Sequence, residues 1–96
     1  MLTADKEDQI WKIAHEVAIE VVRASTLFDA MNSPHEAESV IREEFEEYWD
    51  EVKAFNPRKG KDTRPRQREE LIQLAAMAVR AVLDTIDFGK VYETVH

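Results

Sequence analysis

The stretch from Leu71 to Leu83 contains only two polar residues, Gln73 and Arg80. It is too short to span a membrane as a helix. A helix that is apolar on most of its circumference must be covered by neighbours on several sides, so the stretch predicts the central element of a helical bundle. The chain has only 2 Gly and 3 Pro, which argues against a turn-rich all-β fold.

A first long helix is predicted from Thr3 to Met31. Apolar residues recur there at alternating spacings of four and three, which places them on one stripe of a helix. The stripe consists of Ile10, Ala14, Val17, Val21, Ala24, Phe28 and Met31. Thr3 is the predicted N-cap, because a threonine hydroxyl accepts a hydrogen bond from an unpaired amide of the first turn.

The second helix has the clearest start signal in the chain. Ser33 is the predicted cap, Pro34 occupies the first helical position and Glu36 completes a capping box. The helix is predicted to run to Phe55, since Asn56-Pro57 stops it. Its predicted buried face consists of Ala37, Val40, Ile41, Phe45, Tyr48, Val52 and Phe55.

A polar loop, residues 56–64, precedes the third helix, which is predicted from Pro65 to Asp87 and ends at Phe88-Gly89. Three helices in a chain of 96 residues cannot cover the central one on every side. We therefore predict one all-α domain over residues 1–96, an antiparallel bundle of three main helices completed by oligomerisation. The homodimer, with a four-helix-bundle-like core, or a tetramer is the expected assembly.

Charge and composition exclude several classes of function. The net charge is −7, from 20 acidic and 13 basic residues, so the chain is a poor general binder of nucleic acid. It has no cysteine, which excludes disulfides and thiolate metal sites. The first residues show neither the basic nor the apolar region of a signal peptide. We expect a cytoplasmic protein without membrane or nucleic-acid partners.

The acids of the second helix are informative because of their helical phase. Glu44, Glu47 and Glu51 fall within about 40° of Val40, at the margin of the apolar face. On the third helix, Glu70 and Gln73 share one narrow polar stripe. Two such helices facing each other could pool oxygen ligands for Mg²⁺ or Mn²⁺. An acid-rich helix is also typical of a solvated face, so the residues alone leave both interpretations open.

Two motifs carry a resemblance to a known family. Residues 43–47, Glu-Glu-Phe-Glu-Glu, fit the pattern E-E-x-x-E, and residues 70–73, Glu-Leu-Ile-Gln, fit a following E-x-x-D with Gln73 in place of the aspartate. In order and spacing, the chain resembles the MazG-like all-α nucleoside triphosphate pyrophosphohydrolases. The resemblance implies hydrolysis of a nucleoside triphosphate to the monophosphate and pyrophosphate, with Mg²⁺ or Mn²⁺ as cofactor.

The resemblance also implies roles for individual residues. The metal ligands carried over are Glu44, Glu47, Glu70 and Gln73. The catalytic acids are Glu43, as an outer ligand or as the group that orients water, and Glu47. Gln73 offers a carbonyl oxygen but no negative charge, which weakens the expected site. The bases that could approach the triphosphate, or simply form a solvated loop, are Lys59, Lys61, Arg64 and Arg66.

Parts of the sequence are compatible with functions other than hydrolysis. The main alternative is a non-catalytic helical oligomerisation or nucleotide-sensing module of the same fold, which Gln73 favours. A di-iron bundle needs Glu-x-x-His on two helices, and the one match, residues 93–96, stands at the chain terminus. Trp11, Tyr48 and Trp49 could stack on a base, but packing is the expected role of each.

Overall fold

The computed structural model describes residues 1–87, which form three long helices. They are α1 (Ala4–Leu27), α2 (Pro34–Ala54) and α3 (Arg64–Val82), followed by a π-helical turn, Leu83–Asp87. The predicted all-α class and the three helices are confirmed. The predicted stop at Phe88-Gly89 and the tail, residues 90–96, lie outside the described residues.

α1 begins as predicted but ends four residues early. Thr3 Oγ1 accepts the Lys6 amide at 3.1 Å, whereas helical geometry stops at Leu27 instead of Met31. The connection that follows is hydrogen-bonded to α3 and the turn after it. Arg80 Nη2 donates to the Asp29 carbonyl at 3.0 Å, and Asp84 Oδ2 accepts the Met31 amide at 2.9 Å. These bonds replace helical ones, so the backbone leaves α1 without unpaired groups at these positions.

The start of α2 is confirmed, with a shifted capping box. Ser33 Oγ accepts the Glu36 amide at 3.1 Å, as predicted. Glu36 reaches back to the amide of Asn32 at 3.0 Å, one residue before the cap, where the usual box would bond the cap residue itself. α2 ends at Ala54, one residue before the predicted Phe55.

The loop between α2 and α3 is fixed by hydrogen bonds at both ends. Asn56 and Lys61 exchange two backbone hydrogen bonds, at 2.8 and 2.9 Å. Gly60 closes the turn between them with φ of 73°, a left-handed conformation that favours glycine. Thr63 Oγ1 donates to the Glu51 carbonyl at 2.5 Å. α3 then begins at Arg64, one residue before the predicted Pro65.

α3 lies between the other two helices, as its apolar circumference predicted, and packs along both α2 and α1. The buried core is built from small and medium side chains: Val21, Ala24, Met31, Ala37, Ala76 and Met77. The N-terminal half of the α1 stripe is uncovered, and Ile10 is 47% exposed. Among the helices of residues 1–87, none has the length and apolar character needed to cross a membrane.

Candidate metal centre

Three carboxylates from two helices converge beside the core. Glu44 and Glu47 lie one turn apart on α2, and Glu70 lies in the second turn of α3, which packs along α2. One oxygen from each lies within 4.8 Å of the other two. Because these residues stand on packed helices rather than on loops, the bundle itself fixes their separation. We call Glu44, Glu47 and Glu70 the carboxylate triad.

The triad is electrostatically unsatisfied. Glu44 Oε2 and Glu70 Oε2 are buried and have no hydrogen-bond partner within residues 1–87. Burial, and then the charges of Glu47 and Glu70, raise the pKa of Glu44 to about 7. The pKa of Glu70 is raised by burial first, and then by the neighbouring carboxylate of Glu47. Carboxylates crowded in this way favour a proton or a cation between them.

A cleft of about 400 Å³ opens over the triad. Gln73 lines it together with the three acids, so the four ligands that the resemblance implied lie at one place. Glu69 adds a further acid to the wall. The remaining lining residues are Arg23, Ala24, Phe28 and Met77. Three carboxylates and one amide carbonyl form an all-oxygen donor set, which is the kind that Mg²⁺ and Mn²⁺ prefer.

Two other acids of α2, Glu43 and Glu51, lie outside the triad. Glu43 is exposed and does not line the cleft. Helical phase placed Glu51 on the same margin as Glu44 and Glu47, but the resemblance gave it no role. Its charge contributes to the raised pKa of Glu70. Its Oε2 is buried and has no partner in the described part of the chain.

The loop bases do not line the cleft. Lys59, Lys61 and Arg66 are exposed on the loop and at the start of α3. Arg64 pairs with Asp62 through Nε at 2.8 Å and lies over the Phe55 ring at 5.7 Å. The base that does line the cleft is Arg23 of α1. Sequence reasoning missed it because no local pattern tells which side of α1 faces the acids of α2.

The aromatic residues considered for stacking also lie elsewhere. Trp11 and Trp49 are exposed, and Tyr48 packs near Phe45 with ring centroids 6.4 Å apart. None of the three lines the cleft, whose aromatic wall is Phe28. Phe28 was predicted as part of the α1 core stripe, and the early end of α1 brings it to the rim instead.

The fold and the cleft define an all-helical protein with a candidate oxygen-ligand metal centre between two packed helices. Comparison of the chain with protein-family models, curated proteins and solved structures found no match. The geometry of the cleft and the two motifs are the features of the chain that bear on its function.

Proposed function

We propose that the chain is a divergent member of the MazG-like superfamily that hydrolyses a nucleoside triphosphate to the monophosphate and pyrophosphate with Mg²⁺ or Mn²⁺. The observation that carries this proposal is the carboxylate triad. Glu44 and Glu47 come from one motif and Glu70 from another, 23 residues further along the chain than Glu47. Their oxygens nevertheless lie within 4.8 Å of one another, with Gln73 on the same cleft.

In this proposal the triad and the Gln73 carbonyl hold the cation. The bound cation supplies the neutralisation of charge on the phosphate oxygens. Glu47 is the exposed member of the triad, so water can reach it, and it accepts the proton of the attacking water. Water oxygen bonds to the α-phosphorus, the bond to the bridging oxygen breaks, and pyrophosphate leaves. Glu43 is exposed and does not line the cleft, so it has no role in this step.

We further propose that the active form is a homodimer or a tetramer of this chain. A second cleft, of about 500 Å³, is lined by apolar side chains of α1 and by Val79 of α3. Val22 on this surface is 66% exposed. The Cα radius of gyration is 16.6 Å, against roughly 12 Å for a compact chain of this length. A second copy would cover the uncovered half of α1 and enlarge a thin core.

One observation favours the non-catalytic alternative. Gln73 carries no charge, so the donor set has one carboxylate fewer than the motif specifies. A nucleotide-sensing module of the same fold would keep metal-dependent nucleotide binding without turnover. Measuring binding and pyrophosphate release on the same samples separates this alternative from the enzyme.

The direct test is a screen for pyrophosphate release from ribo- and deoxynucleoside triphosphates with Mg²⁺ and Mn²⁺. Wild type is compared with Glu47→Gln, and with Glu46→Gln as the matched control, because Glu46 is an exposed neighbour outside the cleft. We expect release by wild type and the control, and loss in Glu47→Gln. Equal release by all three proteins would refute a role for the triad.

A further inference from the structure

Arg23 is the one basic residue among the described residues that line the triad cleft. Its guanidinium is held from behind by Glu20, with Nε 3.0 and 2.9 Å from the two carboxylate oxygens and Nη2 also bonded. Within residues 1–87, Nη1 makes no hydrogen bond. Glu20 therefore orients the guanidinium and leaves one of its nitrogens for a ligand.

An apolar wall stands next to Arg23 in the same cleft. Ala24 and Met77 form its buried part, at 1% and 6% exposure. Phe28 forms its rim and is 61% exposed. The Phe28 backbone is fixed on both sides. The Phe28 amide donates a hydrogen bond to the Ala24 carbonyl at 2.9 Å, and Arg80 donates one to the carbonyl of the following residue, Asp29. An aromatic ring is thus held at the mouth of a charged cleft.

We propose that Arg23 and Phe28 form a binding subsite for a polyphosphate ester with a flat organic group. Arg23 Nη1 donates to a phosphate oxygen, and the Phe28 ring stacks on the organic group. This proposal rests on the proposed function, because it takes the metal-bound triphosphate as its ligand. It adds the residues that bind the rest of that ligand, at a place where the motifs assign none.

Electrostatics make this subsite dependent on the cation. The cleft has four acids against Arg23 alone, namely Glu44, Glu47, Glu69 and Glu70. A polyphosphate entering without a cation meets like charge, so Arg23 by itself does not hold it. Once a divalent cation has offset the triad charge, Arg23 would donate to the phosphate oxygens without this repulsion. Anion binding is then expected only after metal binding.

The test of Arg23 is calorimetric titration of the full chain with tripolyphosphate, with and without Mn²⁺. Arg23→Gln is compared with Arg42→Gln, because Arg42 also pairs with a glutamate on its own helix, Glu38, but lies outside the cleft. With Mn²⁺ present, we expect Arg23→Gln to weaken tripolyphosphate binding at least about tenfold and to bind Mn²⁺ at least as tightly as wild type. Arg42→Gln should match wild type.

The test of Phe28 uses α,β-methylene analogues of a purine and a pyrimidine triphosphate. Phe28→Leu keeps an apolar side chain but removes the ring. We expect it to weaken the tighter-binding analogue about fivefold or more and to leave tripolyphosphate binding unchanged. Equal losses for both probes would mean that Phe28 acts on the cleft as a whole, which contradicts the stacking role.

Two further results separate this proposal from the proposed function. If Mn²⁺ binds but Arg23→Gln holds tripolyphosphate as tightly as wild type, the subsite is refuted and the metal centre stands. If Mn²⁺ does not bind and tripolyphosphate still needs Arg23, the metal centre and the cation dependence of the subsite are both refuted, and only the contact between Arg23 and phosphate stands. Circular dichroism of both variants checks that the helices remain.

Discussion

Gln73 stands where the resemblance expects an aspartate, and its surroundings give a physical reason. It lines the triad cleft and also a separate cleft between α1 and α3, which Glu20 of α1 lines as well. Gln73 helps to lower the pKa of Glu20, after the larger effect of Arg23. A neutral amide can meet acids on both sides, because its NH2 group donates hydrogen bonds and its carbonyl oxygen accepts them. An aspartate at this position would face acids on both sides.

The substitution Gln73→Asp tests this balance. Without metal, the new carboxylate repels Glu70 and Glu20, so we expect the unfolding free energy to fall by about 0.5 kcal/mol or more. With Mn²⁺, the added charge should tighten binding and give a larger rise in melting temperature than wild type shows. Thermal melts in chelator and in Mn²⁺ measure both effects. The double variant Glu20→Gln/Gln73→Asp is the control, and it should recover part of the loss in chelator.

Glu44 should make stability depend on pH. Its pKa is raised from the ordinary 4.5 to about 7, so between these values the native state binds more protons than the unfolded state. Stability is then highest below about pH 4.5 for this group and falls as the pH rises toward 7. Urea unfolding in chelator should show Glu44→Gln more stable than wild type at pH 8, with the difference shrinking at pH 5. A constant difference, or the same response in Glu46→Gln, would contradict the assignment.

At the scale of elements, the connection between α1 and α2 is held by Arg80. Its side chain is buried, donates to the Asp29 carbonyl and lies 3.8 Å from Asp84 Oδ2. Asp84 in turn accepts the Met31 amide. The ion pair of Arg80 with Asp84 is thus part of a larger contact that determines where α1 ends.

Replacing Arg80 by methionine should therefore be costly. It leaves Asp84 and the Asp29 carbonyl without their donor, and we expect a loss of about 2–3 kcal/mol in unfolding free energy. Arg42→Met, on the exposed face of α2, should cost less than about 1 kcal/mol. Urea denaturation measures both variants. A cost for Arg80→Met no larger than the control would mean that the connection does not depend on this contact.

The starts of the helices could be read from the sequence because caps are local. Thr3 and Ser33 act within three residues of themselves. The end of α1 could not be read, because its cause lies about 50 positions away, in Arg80 and Asp84. The residues of the site also fall into those that local pattern predicts and those that depend on distant contacts. Helical phase predicted Glu44 and Glu47 on one margin, whereas the approach of Arg23 depends on how α1 docks on α3.

At the scale of the whole molecule, the expected assembly is a homodimer or larger. The apolar cleft on α1 identifies the surface that a second copy would cover. Light scattering at micromolar concentration should give at least twice the 11.2 kDa chain mass. Val22→Glu puts a charge on this surface and should shift the mass toward the monomer, whereas Ala54→Glu, exposed at the end of α2, should not. A wild-type mass of one chain would contradict the assembly.

The thin core bears on how the folded fraction of the protein depends on its concentration. Among residues 1–87, no large side chain is fully buried, so an isolated chain has little apolar burial to offset the entropy of ordering its backbone. If a second copy supplies the missing cover, folding and association become one equilibrium. Dilution then unfolds the protein at constant temperature, and the level of expression sets the fraction of chains that are folded.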